Sequence, residues 1–133
     1  SDLKNPNSGI VTNTVTKDNL TTKPKIDKKN FSYDKAFDGI TISDLYANRG
    51  KYANKKVRIR GRITKFNSSI MSRNWAHIQD GTDNNGNFDL TVTTQETVNI
   101  DELVTFEGTI ALDKDFGAGY FYPIIMEEAV IIK

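Results

Sequence analysis

Three arginines stand at alternate positions in Val57-Arg58-Ile59-Arg60-Gly61-Arg62-Ile63. In an extended chain that spacing puts all three guanidiniums on one face and Val57, Ile59 and Ile63 on the other. A row of guanidinium forks suits phosphate or carboxylate oxygens, which each fork takes two at a time. Sixteen positions or so further on, Asn74-Trp75-Ala76-His77-Ile78-Gln79 alternates again, about the length of one hairpin return. With Ala76 and Ile78 turned inward, Trp75 and His77 face out. An exposed indole beside an imidazole is a stacking platform for unpaired bases, worth roughly 1–3 kcal/mol per base. Arginines for a backbone and rings for bases are together what single-strand binding needs. The competing reading is that Trp75 packs in a core and His77 is an ordinary satisfied side chain.

Catalysis has little to stand on. The chain holds one His and no Cys, which removes multi-histidine metal sites, thiolate sites and a cysteine nucleophile. His77 has no Ser partner at a telling spacing, and Asp113 and Asp115, separated by Lys114, give only two carboxylates for a cation. No catalytic residue, metal or cofactor is expected, and the chain is read as a non-enzyme.

Charge is unevenly spread. The formal net charge is only +1. Yet from Leu45 to Gln79 lie Arg49, Lys51, Lys55, Lys56, Arg58, Arg60, Arg62, Lys65 and Arg73 with no acid, and from Asp80 to Glu128 eleven acids face the single base Lys114. The first stretch is a candidate polyanion surface. Alternatively, Asp89 or Glu107 on neighbouring strands neutralises the arginines, since antiparallel neighbours juxtapose opposite charges.

These residues need a frame to hold them. At 133 residues the chain has room for one domain and a tail. No apolar run approaches the roughly 18 residues of a membrane span. Residues 1–35 are rich in Asn, Thr, Ser and Lys and keep no period, so they read as a flexible N-terminal arm, mobile over about Ser1–Lys28. Ile10–Val15 could instead add an edge strand. The chain begins at Ser1, as would a piece of a longer chain or a mature protein without its targeting segment.

Residues 36–133 read as a domain of strands. Thr41–Ala47 looks like a short helix capped by Thr41 or Ser43 and ended at Arg49-Gly50. Strands follow at Val57–Ile63, Asn74–Gln79, Phe88–Thr93, Val104–Leu112 and Tyr120–Met126, the last extended or followed by Ala129–Ile132, with a turn at Asp80–Asn87 and a short polar connection at Glu96–Leu103. Gly61 and Gly108 at mid-strand suit a strongly coiled sheet. The expected fold is all-β, a five-stranded antiparallel OB-fold barrel with a short N-terminal helix; an SH3-like barrel or small sandwich is the structural competitor. The loops Asn67–Arg73 and Asp113–Gly119 would flank its binding face, and they carry Ile70, Met71, Arg73 and Phe116, with Tyr120 just beyond.

Four strings carry a resemblance: Lys56–Ile63, Ile70–Thr82 (containing Asn-Trp-Ala-His-Ile-Gln-Asp-Gly-Thr), Asp89–Thr94, and Leu112–Pro123 (Asp-Lys-Asp-Phe-Gly-Ala-Gly-Tyr-Phe-Tyr-Pro). From about Ile40 to the C-terminus the chain resembles the bacterial single OB-fold nucleic acid-binding lipoproteins. The resemblance implies a five-stranded OB barrel, export, and an N-terminal lipid anchor on the periplasmic face of the cell envelope, membrane contact being through that anchor alone. Two departures stand out: a polar arm where family members often carry a further N-terminal domain, and only Thr94–Leu103 where an OB-fold usually has a helix. The expected function is a non-catalytic module binding single-stranded nucleic acid or another polyanion through Arg58, Arg60, Arg62, Lys65, Arg73, Trp75, His77, Phe116 and Tyr120. The alternative is an envelope domain that binds a protein or small ligand by the same face, with no nucleic-acid role.

Overall fold

The computed structural model describes residues 26–30, 32 and 34–133. Most of the expected mobile stretch, including Ile10–Val15, lies outside the described residues. Two short helices, α1 (Ile42–Ala47) and α2 (Arg49–Tyr52), precede five strands: β1 (Lys56–Ile70), β2 (Arg73–Gln79), β3 (Leu90–Thr94), β4 (Leu103–Asp115) and β5 (Phe121–Ile131).

Alternation drives the strands. Along β1, Ile59 and Ile63 are wholly buried while Arg58, Arg60 and Arg62 are only partly covered. Along β4, Val104, Phe106, Gly108 and Ile110 turn inward between Thr105, Glu107 and Thr109. The hydrogen-bonded order is β1-β2-β3-β5-β4, and β4 pairs back on β1, so the sheet closes into a barrel-like ring. All pairings given in register are antiparallel except β3 with β5, which run parallel. This corrects the all-antiparallel expectation, and the reason is arithmetic: directions cannot alternate all the way round a ring with an odd number of strands.

The interior is filled from every strand, with Ile78, Leu90, Val92, Phe106, Ile110 and Met126 among its members. Helix α1 closes one part of it, because Ile42 and Leu45, three apart, share a face and are both wholly buried. The Thr41 hydroxyl caps the helix by accepting from the Asp44 amide at 3.0 Å. Its other free amides are met by the β2–β3 loop: the Asp80 carboxylate accepts from Ile42 N and the Thr82 hydroxyl from Ser43 N, each at 2.9 Å. The Glu96–Leu103 connection forms no helix. It inserts Val98, 3% exposed, into the core instead.

Gly108 sets the closeness of β4 to β5. A Cβ there would stand 2.6 Å from Met126 Cγ and 2.9 Å from the Glu127 carbonyl oxygen. Opposite, β5 carries an extra residue between the pairs Val92–Met126 and Thr94–Ala129, with Glu128 at φ 53°. Such a bulge bends the strand and re-aims its side chains.

The strands β1 and β2 extend further than their alternation suggests. The seven-residue loop expected at Asn67–Arg73 is a strand end, Ile70 paired with Arg73, and a two-residue turn with Met71 at φ 52° and Ser72 at φ 64°. That is the hairpin geometry normally filled by Asn-Gly. Ahead of residue 36, Asp27 and Lys29 are bonded to β2 through Gln79. The tip of the β4–β5 hairpin is Asp115–Phe121. Within it Phe116 N donates to Tyr120 O, Tyr120 N to Gly117 O, and Gly117 N to the Asp115 carboxylate.

Candidate functional site

Cross-strand register assembles the candidate face. On β1 and β2, Arg62 lies opposite Gln79, Lys65 opposite His77 and Asn67 opposite Trp75. Opposite residues share a face, and the alternate residues Ala76 and Ile78 are in the core. A register shift between Ile63 and Lys65 keeps Lys65 on the outer side with Arg58, Arg60 and Arg62.

The arginine row is real in direction and uneven in partners. Arg58 sits opposite Glu107 in the β1–β4 ladder and its Nε donates to Glu107 Oε2 at 2.8 Å. Arg60 Nη1 reaches only the Asp34 carbonyl oxygen, at 3.5 Å. Arg62 Nη1 donates to the Asp101 carbonyl oxygen at 2.6 Å. Lys65 is partly exposed. Arg73, partly exposed at the start of β2, lines a cleft of about 630 Å³ together with Thr93, Thr94, Glu96, Lys114 and the β5 bulge residues Glu127 and Glu128. There Lys114 is bound to Glu127 at 3.3 Å.

The indole departs from expectation. Trp75 is on the outer side, as alternation requires, but only 6% of it is exposed. Its ring packs at 5.9 Å and a 33° tilt against Tyr122, and its Nε1 donates to the Ile70 carbonyl oxygen at 2.8 Å. The β1–β2 hairpin is thereby fastened down on the ring. An indole so covered offers no platform to a base, and the expectation of an exposed Trp75 is corrected.

His77 is mostly covered as well. Its Nδ1 lies 2.8 Å from Asp89 Oδ2, with side-chain exposures of 15% and 18%. Asp89 therefore serves His77 rather than the arginines. The second oxygen, Asp89 Oδ1, is buried without a hydrogen-bond partner among the described residues. Beside it the Tyr46 hydroxyl donates to the Asp89 backbone oxygen at 2.8 Å. Burial, and then the Asp89 charge, push the Tyr46 phenol up to about 12.

The remaining expected residues lie on the β4–β5 tip, where Phe116 is partly covered and Tyr120 is 43% exposed. On the β1–β2 tip, Ile70 and Met71 are each 45% exposed. The two acids weighed for a cation are otherwise engaged: Asp113 binds Arg49 at 2.9 Å, and Asp115 accepts from the Gly117 amide at 2.7 Å. Among the described residues no group of three or more His, Asp or Glu side chains could hold a metal ion. No described helix is long and apolar enough to cross a membrane.

Sequence reasoning missed Gln79. It faces outward beside Arg62, yet is 1% exposed, because its amide holds the backbone of the N-terminal segment: Nε2 donates to Asp27 O at 2.9 Å and Oε1 accepts from Lys29 N at 2.8 Å. Next to it Lys28 pairs with Asp83 at 3.2 Å. The Gly86 amide and then the Lys28 ammonium hold the Asp83 carboxyl below its ordinary range. No local signal reveals a partner fifty positions away.

Comparison with protein-family models, with curated proteins and with solved structures returned no match for this chain.

Proposed function

We propose that this chain is a non-catalytic OB-fold binding module that engages a polyanion, in the first instance single-stranded nucleic acid, on the outer face of β1 and β2. What supports the OB-fold assignment is the strand order β1-β2-β3-β5-β4, the return of β4 onto β1, and the parallel pairing of β3 with β5. OB-folds bind oligonucleotides over their second and third strands and the loops of their first and last strand pairs, whereas the row proposed here lies on β1. That link from fold to ligand is an analogy.

The observation that carries the polyanion reading is the outward row on β1. Arg60 and Lys65 join Arg58 and Arg62 on one face; Arg58 meets Glu107 across the ladder, while Arg60 meets a carbonyl oxygen at a long 3.5 Å. With Trp75 covered, the contact is to the backbone of the nucleic acid rather than to stacked bases. Such binding is electrostatic and sequence-independent. The resemblance to exported OB-fold lipoproteins would place the module on a lipid anchor at the cell envelope.

One observation favours a second reading, an envelope domain for a protein or small ligand. The cleft beside Arg73 is lined by charges of both signs, which suits a zwitterionic or mixed partner better than a phosphate chain. Salt separates the two. Single-strand affinity should fall by about 0.7 log units per log unit of salt for each phosphate neutralised. A titration of the chain with a short oligothymidylate at rising salt tests this, and salt-independent binding favours the second reading.

A further inference from the structure

Trp75 withdraws its ring from the β1–β2 face, so on that face a nucleic acid finds phosphate contacts alone. Another ring stands just outside it. Phe37 is 84% exposed, whereas the other exposed large hydrophobics among the described residues lie between 43% and 52%. A ring so open gains little from folding, so packing of the domain does not account for it. Single exposed apolar residues are ordinary on a protein surface. What sets Phe37 apart is where it is held, and how firmly.

Ala36, Phe37, Asp38 and Gly39 form a tight turn, closed by Gly39 N donating to the Ala36 carbonyl oxygen at 2.8 Å. Asp38 stands at φ 56°, as the third residue of a type II turn does, which leaves Phe37 at the outer corner. Both ends of the turn, Ala36 and Gly39, are buried. Gly39 is pressed onto β1, where an added Cβ would stand 2.7 Å from the Arg58 carbonyl oxygen. The next residue, Ile40, donates its amide to that same oxygen at 3.0 Å. Ahead of the turn, the Asp34 carbonyl oxygen meets the Arg60 guanidinium. Phe37 therefore lies two residues from the contact with Arg58 and three from the contact with Arg60. Its Cα is within about 8 Å of the Gly39 Cα, at 3.8 Å per step. Among the described residues no ring or cation is stacked on it.

We infer that Phe37 is a stacking platform for one unpaired base of a strand whose phosphates lie along the β1 row. This rests on the polyanion reading and names its ligand class, single-stranded nucleic acid rather than any bare polyanion. Asp34 and Asp38 are exposed acids of the same segment, so the turn itself is no phosphate site. What it offers is a ring face, and every base has a face to lay on it. The turn is clamped at both ends before the ligand arrives, so little ordering is left to be done on binding.

The test uses the full chain and two fluorescent twelve-residue probes at low salt, an oligothymidylate and an abasic sugar–phosphate strand of the same length and charge. Wild type should bind the oligothymidylate about fivefold or more tighter than the abasic strand. Phe37→Ala should weaken oligothymidylate binding by about the same factor and leave abasic binding and the salt slope as they were. Phe37→Tyr keeps the ring and should keep the preference. Should Phe37→Ala fail to fold, Phe37→Leu, which keeps bulk without the ring, carries the same expectation. Equal binding of the two strands by wild type, or a preference that survives loss of the ring, would overturn the stacking platform while leaving the polyanion reading standing. Equal weakening of both strands on loss of the ring would also overturn it, since the turn would then act other than through a base. Absence of binding of either strand to wild type would overturn the polyanion reading, and the platform with it.

Discussion

Two stretches of the outer surface, both polar in sequence, behave in opposite ways once folded. In Asn74–Thr82 nearly every polar side chain has a task inside the protein. Asn74 accepts from the Ser69 amide and donates to the Glu96 carbonyl, Trp75 ties down the hairpin, and His77 holds Asp89. Gln79 holds the backbone of Asp27 and Lys29, while Asp80 and Thr82 meet the start of α1. In Arg58–Lys65, two strand positions away, Arg60 has one long contact to a carbonyl oxygen. The string with the most distinctive residues is thus a structural knot, and the plainer basic row is the surface proposed for a partner. Distinctive residue types mark demanding geometry, which folding can impose as well as ligand binding does.

The largest expected effect comes from breaking the knot at its centre. Trp75→Ala should cost about 3–5 kcal/mol of stability, the range for a buried large aromatic, read as a fall in the urea midpoint. A stable variant with weakened oligonucleotide binding would return Trp75 to the ligand side of the comparison. Next, Gly108→Ala should cost about 1–3 kcal/mol by forcing β4 away from Met126 and Glu127, since the added methyl meets backbone as well as side chain.

The Tyr46–Asp89 corner gives a pH signature. The folded phenol titrates near 12, above its ordinary value near 10, so the fold favours the protonated form. Its contribution is complete below about pH 10 and is lost as pH rises through about 12. Because water partly screens the site, the loss should be about 1–2 kcal/mol. Denaturant midpoints measured from pH 9 to 12 should decline, and Tyr46→Phe should flatten that decline.

Arg60→Ala should be the mildest change to stability, within about 0.5 kcal/mol as for other surface positions. Its effect belongs to binding: the salt slope should drop by about 0.7 if one phosphate contact is lost. This sharpens the comparison, because the same truncation inside Asn74–Thr82 should move stability and leave the slope alone.

What was legible in the sequence was local. Alternation in Val57–Ile63 and Asn74–Gln79 located β1 and β2, their inward sets and the outward arginines, and Thr41 located the start of α1. What was illegible depended on partners far along the chain. Whether Trp75 on the outer side meets water turns on Tyr122 and the hairpin end, which period 2 cannot register. The two-residue turn at Met71-Ser72 lacks the Asn-Gly that normally announces it, so it read as a longer loop. Asp89, one of the two acids weighed as an arginine's partner, faces His77 instead, because β3 lies next to β2 rather than β1. Glu107, on the true neighbour of β1, did meet Arg58.

The central claim, that the β1 row is a polyanion surface, is tested most directly by one salt series. Fluorescence anisotropy of a short oligothymidylate with the full chain should give Kd values that rise with salt. The log–log slope should be about 2, as for three phosphates neutralised at about 0.7 each. A flat slope, or no binding at low salt, would contradict the claim and turn attention to the mixed-charge cleft beside Arg73.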